Sequence, residues 1–265
     1  MNAVLKYPGA KWALADWIIS HFPSHHSYLE PFFGSGAVLF RKPRSHIETV
    51  NDLDGHVVNL FRWIRDDPQR LADAVYWTPY ARDVYLAACA DPDGEDSLQR
   101  AVDFYTRLMM GCGYRTTGPR VGWRRDVAAR ERAYTAESWR AAPETIMQAA
   151  ERLRGVQIEH GPAVELIRAY NQPNVLIYAD PPYLLSTRQG KQYRCEMTDN
   201  DHRELLVALK AHRGPVLLSG YDSALYREAL KAWHREECGA LAQNATPRRE
   251  VLWMNFEPPS QENLF

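Results

Sequence analysis

The chain has few of the features that mark several large classes of protein. Its four cysteines, Cys89, Cys112, Cys195 and Cys238, lie far apart in 265 residues and form no CxxC pair. A zinc site or a disulfide framework is therefore not expected, and a reduced, cytoplasmic setting is the default. No apolar run approaches the roughly 18 residues that a membrane span needs. The N-terminus lacks the order of a secretory signal peptide.

A strong charge of one sign is also lacking, because the formal net charge is −1. Such a balance does not by itself indicate a polyanionic partner. One segment is strongly basic, because residues 107–132 contain seven arginines and only two acids, Asp126 and Glu131. The arginines are at 107, 115, 120, 124, 125, 130 and 132. This excess is typical of a nucleic-acid interface, although a solvated arginine-rich surface would show the same pattern.

Short apolar runs alternate with amphipathic segments along most of the chain, which predicts an α/β fold with a mostly parallel, covered sheet. Strands are predicted in the segments SYLE, IETVN, VQIE, NVLIYA and GPVLLS, and a late strand in REVLWMNF. Helices are predicted over residues 10–22, over GHVVNLFRWIR, and over TDNDHRELLVALKAH, which begins with residues typical of helix caps.

Residues 67–140 break this alternation. Helical periodicity is followed by MGCGYRTTGPRVGWRRD, where four glycines and a proline surround short polar and aromatic pieces. Such a segment predicts a β-hairpin or an exposed loop. We therefore interpret 67–140 as an inserted, mainly helical domain with the basic segment, and 1–66 together with 141–265 as the domain that contains the sheet.

Three strand ends have residues that suit a ligand, since ligands bind open α/β sheets at the carboxyl ends of strands. Glu30–Gly36 (EPFFGSG) has two glycines where the chain turns from strand to helix, which permits a close backbone approach to a ligand. A full GxGxxG and a Walker lysine are missing, so a phosphate loop is disfavoured and a plain turn is the alternative. Asn51–Asp54 has acids where ribose hydroxyls are commonly held; a helix N-cap or a metal-binding DxD are the alternatives.

The strand at NVLIYA ends in Asp180, Pro181, Pro182 and Tyr183. Asp180 supplies a carboxylate acceptor, Pro181 a rigidly held carbonyl with no local N–H at Pro182 to compete for it, and Tyr183 a flat face. Two acceptors and a stacking plane fit an aromatic amine such as adenine, because acceptors on both N–H protons free the nitrogen lone pair. Stacking would add roughly 1–3 kcal/mol. A capped, strand-terminating turn is the alternative.

The N-terminal stretch LKYPGAKWALAD places Tyr7 and Lys11 around a Pro-Gly turn. Tyr7 suits a contact with an adenosine or with a sulfonium cation, and Lys11 suits a carboxylate. A surface turn before a helix is the alternative.

Taken together and in this order, these motifs resemble the Dam-type family of DNA adenine methyltransferases. The matching elements are Lys6–Lys11 (KYPGAK), Glu30–Gly36, Asn51–Asp54, Asp180–Tyr183 and the late Ser219-Gly220-Tyr221. Asp54 and Gly220 depart from the family pattern, which usually has asparagine at both positions. These departures place the charge of the cofactor pocket and the roles of Ser219 and Tyr221 in question.

The resemblance implies a Rossmann-like methyltransferase sheet with one late antiparallel strand, and it makes residues 67–140 a target-recognition domain. It implies S-adenosyl-L-methionine as cofactor, bound by Tyr7, Lys11, Phe32, Gly34, Gly36, Asp52 and Asp180. The target adenine of double-stranded DNA would be flipped out and held by Asp180, Pro181, Pro182 and Tyr183, then methylated by direct in-line attack. Arg115, Arg120, Arg124 and Arg125 are the candidate DNA contacts.

Several alternatives stay open at this point. Cytosine, RNA and a protein glutamine also present an N–H₂ group to such acceptors. An inactive nucleic-acid-binding module and, more distantly, a metal-dependent nucleotide-sugar enzyme using Asp52 and Asp54 are further alternatives. No metal, membrane or obligate protein partner is expected. The recognition sequence, with GATC as a loose expectation, and any restriction partner cannot be deduced from these residues.

Overall fold

A computed structural model describes residues 3–113, 115–116, 122–125, 135–188, 190–241 and 247–259. Seven strands form one sheet: β1 (Ser27–Glu30), β2 (Ile47–Asn51), β3 (Val156–Glu159), β4 (Val175–Ala179), β5 (Val216–Tyr221), β6 (His234–Leu241) and β7 (Pro247–Met254). Their order across the sheet is β3-β2-β1-β4-β5-β7-β6.

The first five strands run parallel, and β7 runs antiparallel to both β5 and β6. The prediction of a mostly parallel sheet with a late antiparallel strand is confirmed, while β6 had not been predicted. The strand order reverses between β1 and β4. In open α/β sheets this reversal opens a crevice at the carboxyl edge, where ligands bind.

Eleven α-helices lie in the described part of the chain: α1 (Ala15–Ser20), α2 (Ala37–Arg41), α3 (Gly55–Asp66), α4 (Pro68–Tyr76), α5 (Arg82–Ala90), α6 (Ser97–Met110), α7 (Thr135–Arg140), α8 (Ala142–Leu153), α9 (Ala163–Ala169), α10 (Asp199–Ala211) and α11 (Ala224–Ala229). The helix predicted over 10–22 is shorter because residues 8–14 form turns, with the Leu14 N–H donating to the Lys11 carbonyl at 2.9 Å. The capping box of Thr198 and Asp201 begins α10, as its sequence predicts.

Alternate residues of β1, β4, β5 and β7 enter one of two apolar cores on the two faces of the sheet. On β1 and β4, Tyr28, Leu176 and Tyr178 pack in one core, whereas Leu29 and Ile177 pack in the other. Helices α1–α8 cover the first face, and α9–α11 cover the second. Within the described residues, no helix is both long and apolar enough to cross a membrane.

In the region interpreted as an insertion, α4, α6 and α7 pack on α3 or α8, and α5 packs on α6, in the same core as the first face of the sheet. After α6, Gly111 and Trp123 form an antiparallel bridge, and the Arg124 N–H donates to the Met110 carbonyl at 2.7 Å. Residues 117–121, which would complete the predicted hairpin, lie outside the described residues. The hairpin and the division at residues 67 and 140 therefore stay predictions.

Candidate active site

A cavity of about 360 Å³ opens at the carboxyl edge of the sheet, beside the reversal between β1 and β4. Seven of the predicted site residues line it: Tyr7, Lys11, Phe32, Gly34, Asp52, Asp180 and Pro182. The other three are close to lining residues in the sequence: Pro181 and Tyr183 flank Pro182, and Gly36 is two residues after Gly34. The fold thus brings together motifs that are up to 175 residues apart in sequence.

The two glycines after β1 do different work. Gly34 (φ 49°) faces Tyr7, where a Cβ atom would lie 3.1 Å from the ring, and its N–H donates to Asp52 Oδ2 at 2.8 Å. Gly36 (φ 66°) is the N-cap of α2, and a Cβ atom there would lie 2.5 Å from the Phe33 ring. Both positions require glycine, but only Gly34 forms part of the cavity wall.

The two acids after β2 also separate in role. Asp52 faces the cavity and accepts hydrogen bonds from the backbone N–H groups of Gly34 and Asp54, at 2.8 and 2.9 Å. Burial raises the pKa of Asp52 to about 7, although these N–H donors oppose the rise. Asp54 also lines the cavity, but its Oδ1 caps α3 by accepting from the His56 N–H at 3.0 Å. The helix-cap alternative is therefore the structural role of Asp54.

A metal-binding interpretation of Asp52 and Asp54 finds no support in the described ranges. No group of three or more His, Cys, Asp or Glu side chains is placed there to hold an ion. One oxygen of Asp54, Oδ2, is buried without a hydrogen-bond partner among these residues.

Asn51, at the end of β2, connects three segments whose next residues, Phe32, Asp52 and Pro162, line the cavity. Its Nδ2 donates to the carbonyls of Pro31 and Gly161, at 2.9 and 3.0 Å, and its Oδ1 accepts from the Gly161 N–H at 3.0 Å. One side chain thereby connects the segments that follow β1, β2 and β3.

Glu30, at the end of β1, is buried and accepts a hydrogen bond from the Tyr28 hydroxyl at 2.8 Å. Burial raises the pKa of Glu30 to about 8, against the opposing effect of that hydrogen bond. The carboxyl also lines the cavity. A buried acid with a raised pKa is thus part of the site wall.

Asp180 lies at the carboxyl end of β4 with both carboxylate oxygens engaged. Lys11 Nζ is 2.9 Å from Oδ2, and the Tyr183 hydroxyl donates to Oδ1 at 3.1 Å. Lys11 is only 7% exposed and also donates to the Gly9 carbonyl at 2.8 Å. Its ammonium lies 4.8 Å from the centre of the Tyr183 ring. Lys11 therefore contacts the residue that was predicted to hold the target amine.

Glu250, on β7, is a member of this cluster that sequence reasoning missed. It is 4% exposed, its Oε1 is 3.7 Å from Lys11 Nζ, and it hydrogen-bonds the Tyr183 hydroxyl. Burial raises its pKa, and Lys11 opposes the rise. The antiparallel pairing of Tyr221 with Glu250 brings it here. A lone acid in a strand gives no indication of that pairing in the sequence.

The segment after Tyr183 folds back over the cavity, which the sequence also did not indicate. Arg188 and Glu196 form a half-buried ion pair within this segment, and Glu196 accepts from the Tyr193 N–H at 3.0 Å. The Tyr193 hydroxyl donates to the Pro8 carbonyl at 3.2 Å and lies against Gly9. Tyr193 thus forms a wall shared by the two loops.

The late motif lies on the other side of Tyr183. Ser219 is buried and hydrogen-bonds the Tyr178 hydroxyl at 2.9 Å. The Tyr221 ring meets the Tyr183 ring edge-on, with centroids 4.6 Å apart. Gly220 packs under Trp253, where a Cβ atom would lie 3.2 Å from the indole. An asparagine would not fit this position without movement of its neighbours.

The predicted DNA-contacting arginines lie partly within the described residues. Arg115 and Arg125 are exposed, Arg124 is half-buried, and Arg120 falls outside the described ranges. Thr116, next to Arg115, donates its N–H to the Gln192 carbonyl at 2.9 Å and accepts from the Arg194 N–H at 2.8 Å. Arg115 is thereby held beside the segment that covers the cavity.

Comparison with known proteins gives matches over most of the chain. A family model of D12 class N6 adenine-specific DNA methyltransferases matches residues 7–242. A DNA adenine methylase of Salmonella typhi is 26% identical over 247 residues, which cover 86% of this chain and 83% of that protein. One from Vibrio cholerae serotype O1 is 25% identical over 248 residues, which cover 86% of each chain.

Among solved structures, precorrin 8W decarboxylase of Methanobacterium thermoautotrophicum aligns with 96% of this chain and 93% of its own. Its TM-score is 0.41 at 9% identity. That similarity is too low to support a conclusion about either fold or function.

Proposed function

The chain belongs to the D12 class N6 adenine-specific DNA methyltransferase family, and from this premise we propose how its residues act as such an enzyme. S-adenosylmethionine is the methyl donor, and adenine in double-stranded DNA is the acceptor. The target amine meets the chain at Asp180 and Pro181. The observation that supports this assignment is the Asp180 carboxylate, which lines the strand-end cavity and is held by Lys11 at 2.9 Å.

Tyr7, Phe32, Gly34 and Asp52 would hold the cofactor. They fit it, because Asp52 presents a carboxylate acceptor for ribose hydroxyls and Gly34 leaves the backbone open beside the Tyr7 ring. When bound, the cofactor supplies a methyl group on a positively charged sulfonium. Tyr7 and the surrounding carboxylates favour that charge.

The chemistry of the chain's own residues concerns the amine. Adenine's exocyclic nitrogen is a poor nucleophile because its lone pair is delocalised into the ring. Asp180 and the Pro181 carbonyl accept its two N–H groups, and the lone pair is then directed away from the ring toward the methyl group. Such fixed acceptors act by preorganisation, since they need no rearrangement as charge develops on the amine.

A base inside a duplex cannot reach this site, so the target nucleotide has to leave the stack at a cost of a few kcal/mol. Tyr183 and Tyr221 would offset part of that cost by aromatic contact with the base. Residues 67–140 would serve as the target-recognition domain, with Arg115, Arg124 and Arg125 contacting phosphates or base edges.

The test of the site is Asp180→Asn, which keeps the shape and removes the charge. We expect loss of methyl transfer by about 10³-fold or more, because the main acceptor of the amine is weakened. Incorporation of tritiated methyl groups from the cofactor into unmethylated genomic DNA measures it. Asp66→Asn, an exposed change at the far end of α3, is the matched control. Near wild-type turnover by Asp180→Asn would exclude Asp180 from the reaction.

The test of the basic segment is Arg125→Glu, with Arg203→Glu on the opposite face of the sheet as control. We expect weaker DNA binding for the first variant and a slope of log K against log salt that is smaller by about 1, because a phosphate contact is lost. Arg203→Glu should bind as the wild type does. Fluorescence anisotropy of labelled duplex DNA at several salt concentrations measures both. Equal affinities would remove Arg125 from the interface.

A further inference from the structure

Four side chains around the proposed target position form a closed circuit of polar contacts. Lys11 Nζ lies 2.9 Å from Asp180 and 3.7 Å from Glu250, and the Tyr183 hydroxyl contacts both Asp180 Oδ1, at 3.1 Å, and Glu250 Oε1. Two carboxyl groups therefore share one cation and one hydroxyl. Nothing in the resemblance or in the comparisons gives Glu250 a function.

The Tyr183 hydroxyl can donate its hydrogen bond to either Asp180 or Glu250. A tyrosine O–H group has one proton to donate, and here two acidic oxygens lie within reach of it. A proton given to Asp180 Oδ1 withdraws negative charge from that oxygen and occupies one of its acceptor positions. A proton given to Glu250 leaves Asp180 Oδ1 open. The direction of one O–H bond thus sets the acceptor strength of Asp180.

We propose that Glu250 is a positioning residue for methyl transfer, which takes the Tyr183 hydroxyl proton so that Asp180 Oδ1 is free to accept the target amine. The proposal rests on the proposed function, since it requires Asp180 to be the acceptor. Glu250 acts through Tyr183 and touches neither the amine nor the methyl group.

The surroundings of Glu250 suit this role. The carboxyl is 4% exposed, so water cannot replace it as a ready acceptor for Tyr183. It projects from β7, where it pairs in register with Tyr221 of β5 and with Cys238 of β6, and Lys11 is the nearby cation. Because Lys11 is closer to Asp180 than to Glu250, the ion pair leaves the Glu250 oxygen available to the hydroxyl.

Three variants test the proposal against wild type. Glu250→Leu removes the alternative acceptor, so the Tyr183 proton turns to Asp180. Glu250→Gln keeps an acceptor, because its amide oxygen replaces the carboxylate oxygen, and it has the same charge as leucine. The double variant Tyr183→Phe/Glu250→Leu lacks both the acceptor and the competing hydroxyl. Turnover and KM for unmethylated genomic DNA are measured with tritiated cofactor.

We expect Glu250→Leu to lose roughly 10-fold or more in kcat, as for the loss of one group that tunes a catalytic acceptor. Glu250→Gln should keep kcat within about threefold of wild type, because its amide oxygen still accepts the Tyr183 proton. The double variant should be about fivefold more active than Glu250→Leu alone, since the neighbouring contacts are strongly coupled. Removing a second side chain restores activity only if that side chain had become inhibitory.

A structural role for Glu250 gives the opposite pattern, because damage to the fold adds when a second contact is removed. The proposal is overturned if the double variant is no more active than Glu250→Leu, if Glu250→Leu stays within about twofold of wild type, or if Glu250→Gln is as impaired as leucine. Circular dichroism and thermal unfolding check the fold. If leucine is not tolerated, Glu250→Ala takes its place in both single and double variants.

The experiment separates this inference from the function it rests on. Activity in Asp180→Asn would refute the proposed site whatever Glu250 does. An inactive Asp180→Asn combined with additive losses at Glu250 and Tyr183 would refute only the role of Glu250.

Discussion

Two clusters around a buried lysine lie on either side of β1, and they have opposite ratios of cations to carboxyl groups. Near the start of β2, Glu48 is surrounded by two cations, with Lys42 Nζ at 2.5 Å and Arg152 Nη1 at 2.6 Å, and it also accepts from the Ser45 N–H at 3.0 Å. At the carboxyl edge of the sheet, Lys11 serves two carboxyl groups, Asp180 and Glu250.

The ratio of cations to carboxyl groups determines whether a cluster has acceptors left for a ligand. Around Glu48 every carboxylate oxygen has a cationic donor, so the cluster is closed and can only stabilise the fold. Around Lys11 the acceptors outnumber the cation, and burial raises the pKa of Glu250 while Lys11 opposes the rise. An excess of buried acceptors is costly unless something donates to it. In the proposed function that donor is the target amine.

The largest effect on stability is expected from Glu48→Gln, which leaves the buried Lys42 and the half-buried Arg152 without a carboxylate. Breaking one partner of a buried ion pair costs about 3–5 kcal/mol of unfolding free energy. Urea denaturation at neutral pH measures this loss, while kcat on DNA should stay near wild type. A stable but inactive Glu48→Gln variant would contradict the division between the two clusters.

This loss should depend on pH in a definite direction. Burial would raise the pKa of Glu48, but Arg152 and Lys42 outweigh burial and lower it below the ordinary 4.5. The stabilisation is therefore present above pH 4.5 and is lost as pH falls through the lower, folded-state pKa. The difference between wild type and Glu48→Gln should shrink in acid.

A smaller effect of opposite direction is expected from Glu30→Gln on the side of the active site. Burial raises the pKa of Glu30 from 4.5 to about 8, so its contribution to stability is lost as pH rises from about 4.5 to 8. The free energy of unfolding of Glu30→Gln minus that of wild type should therefore be larger at pH 8 than at pH 5, by on the order of 3 kcal/mol. The amide oxygen of the introduced glutamine keeps the acceptor for Tyr28.

Unfolding free energies of wild type and Glu30→Gln at pH 5 and pH 8 measure that difference. Part of the wild-type decline should remain in the variant, because burial also raises the pKa of Asp52 to about 7. Parallel pH profiles for the two proteins would show that Glu30 does not titrate over this range.

Most of the sheet could be predicted from sequence because its strands are short, apolar and bounded by glycine or acid. Strand β6 could not, since HREECGAL is polar and pairs only with β7 at the edge of the sheet. An edge strand exposed to water needs no apolar alternation. The short α1 was overestimated because turns held by Lys11 replace its first residues.

The site could be predicted in its cofactor half, where motifs such as Asp52 and Gly34 follow strands and contact each other directly. The partners of Asp180 were harder to predict from the sequence. Lys11 was expected to contact a carboxylate and the cofactor, but the sequence did not indicate that the carboxylate is Asp180. Glu250 could be identified only through the pairing of β5 with β7. Such contacts depend on tertiary register, which a single sequence does not specify.

The amide of Asn51, with its three hydrogen bonds, has a consequence for ligand affinity. It fixes the segments after three neighbouring strands to one another while the protein folds, before any ligand arrives. A molecule entering the cavity therefore contacts Phe32, Asp52 and Pro162 on segments whose backbone freedom has already been lost. Association need not spend its own energy on ordering those loops, so a larger share of each contact remains as net affinity.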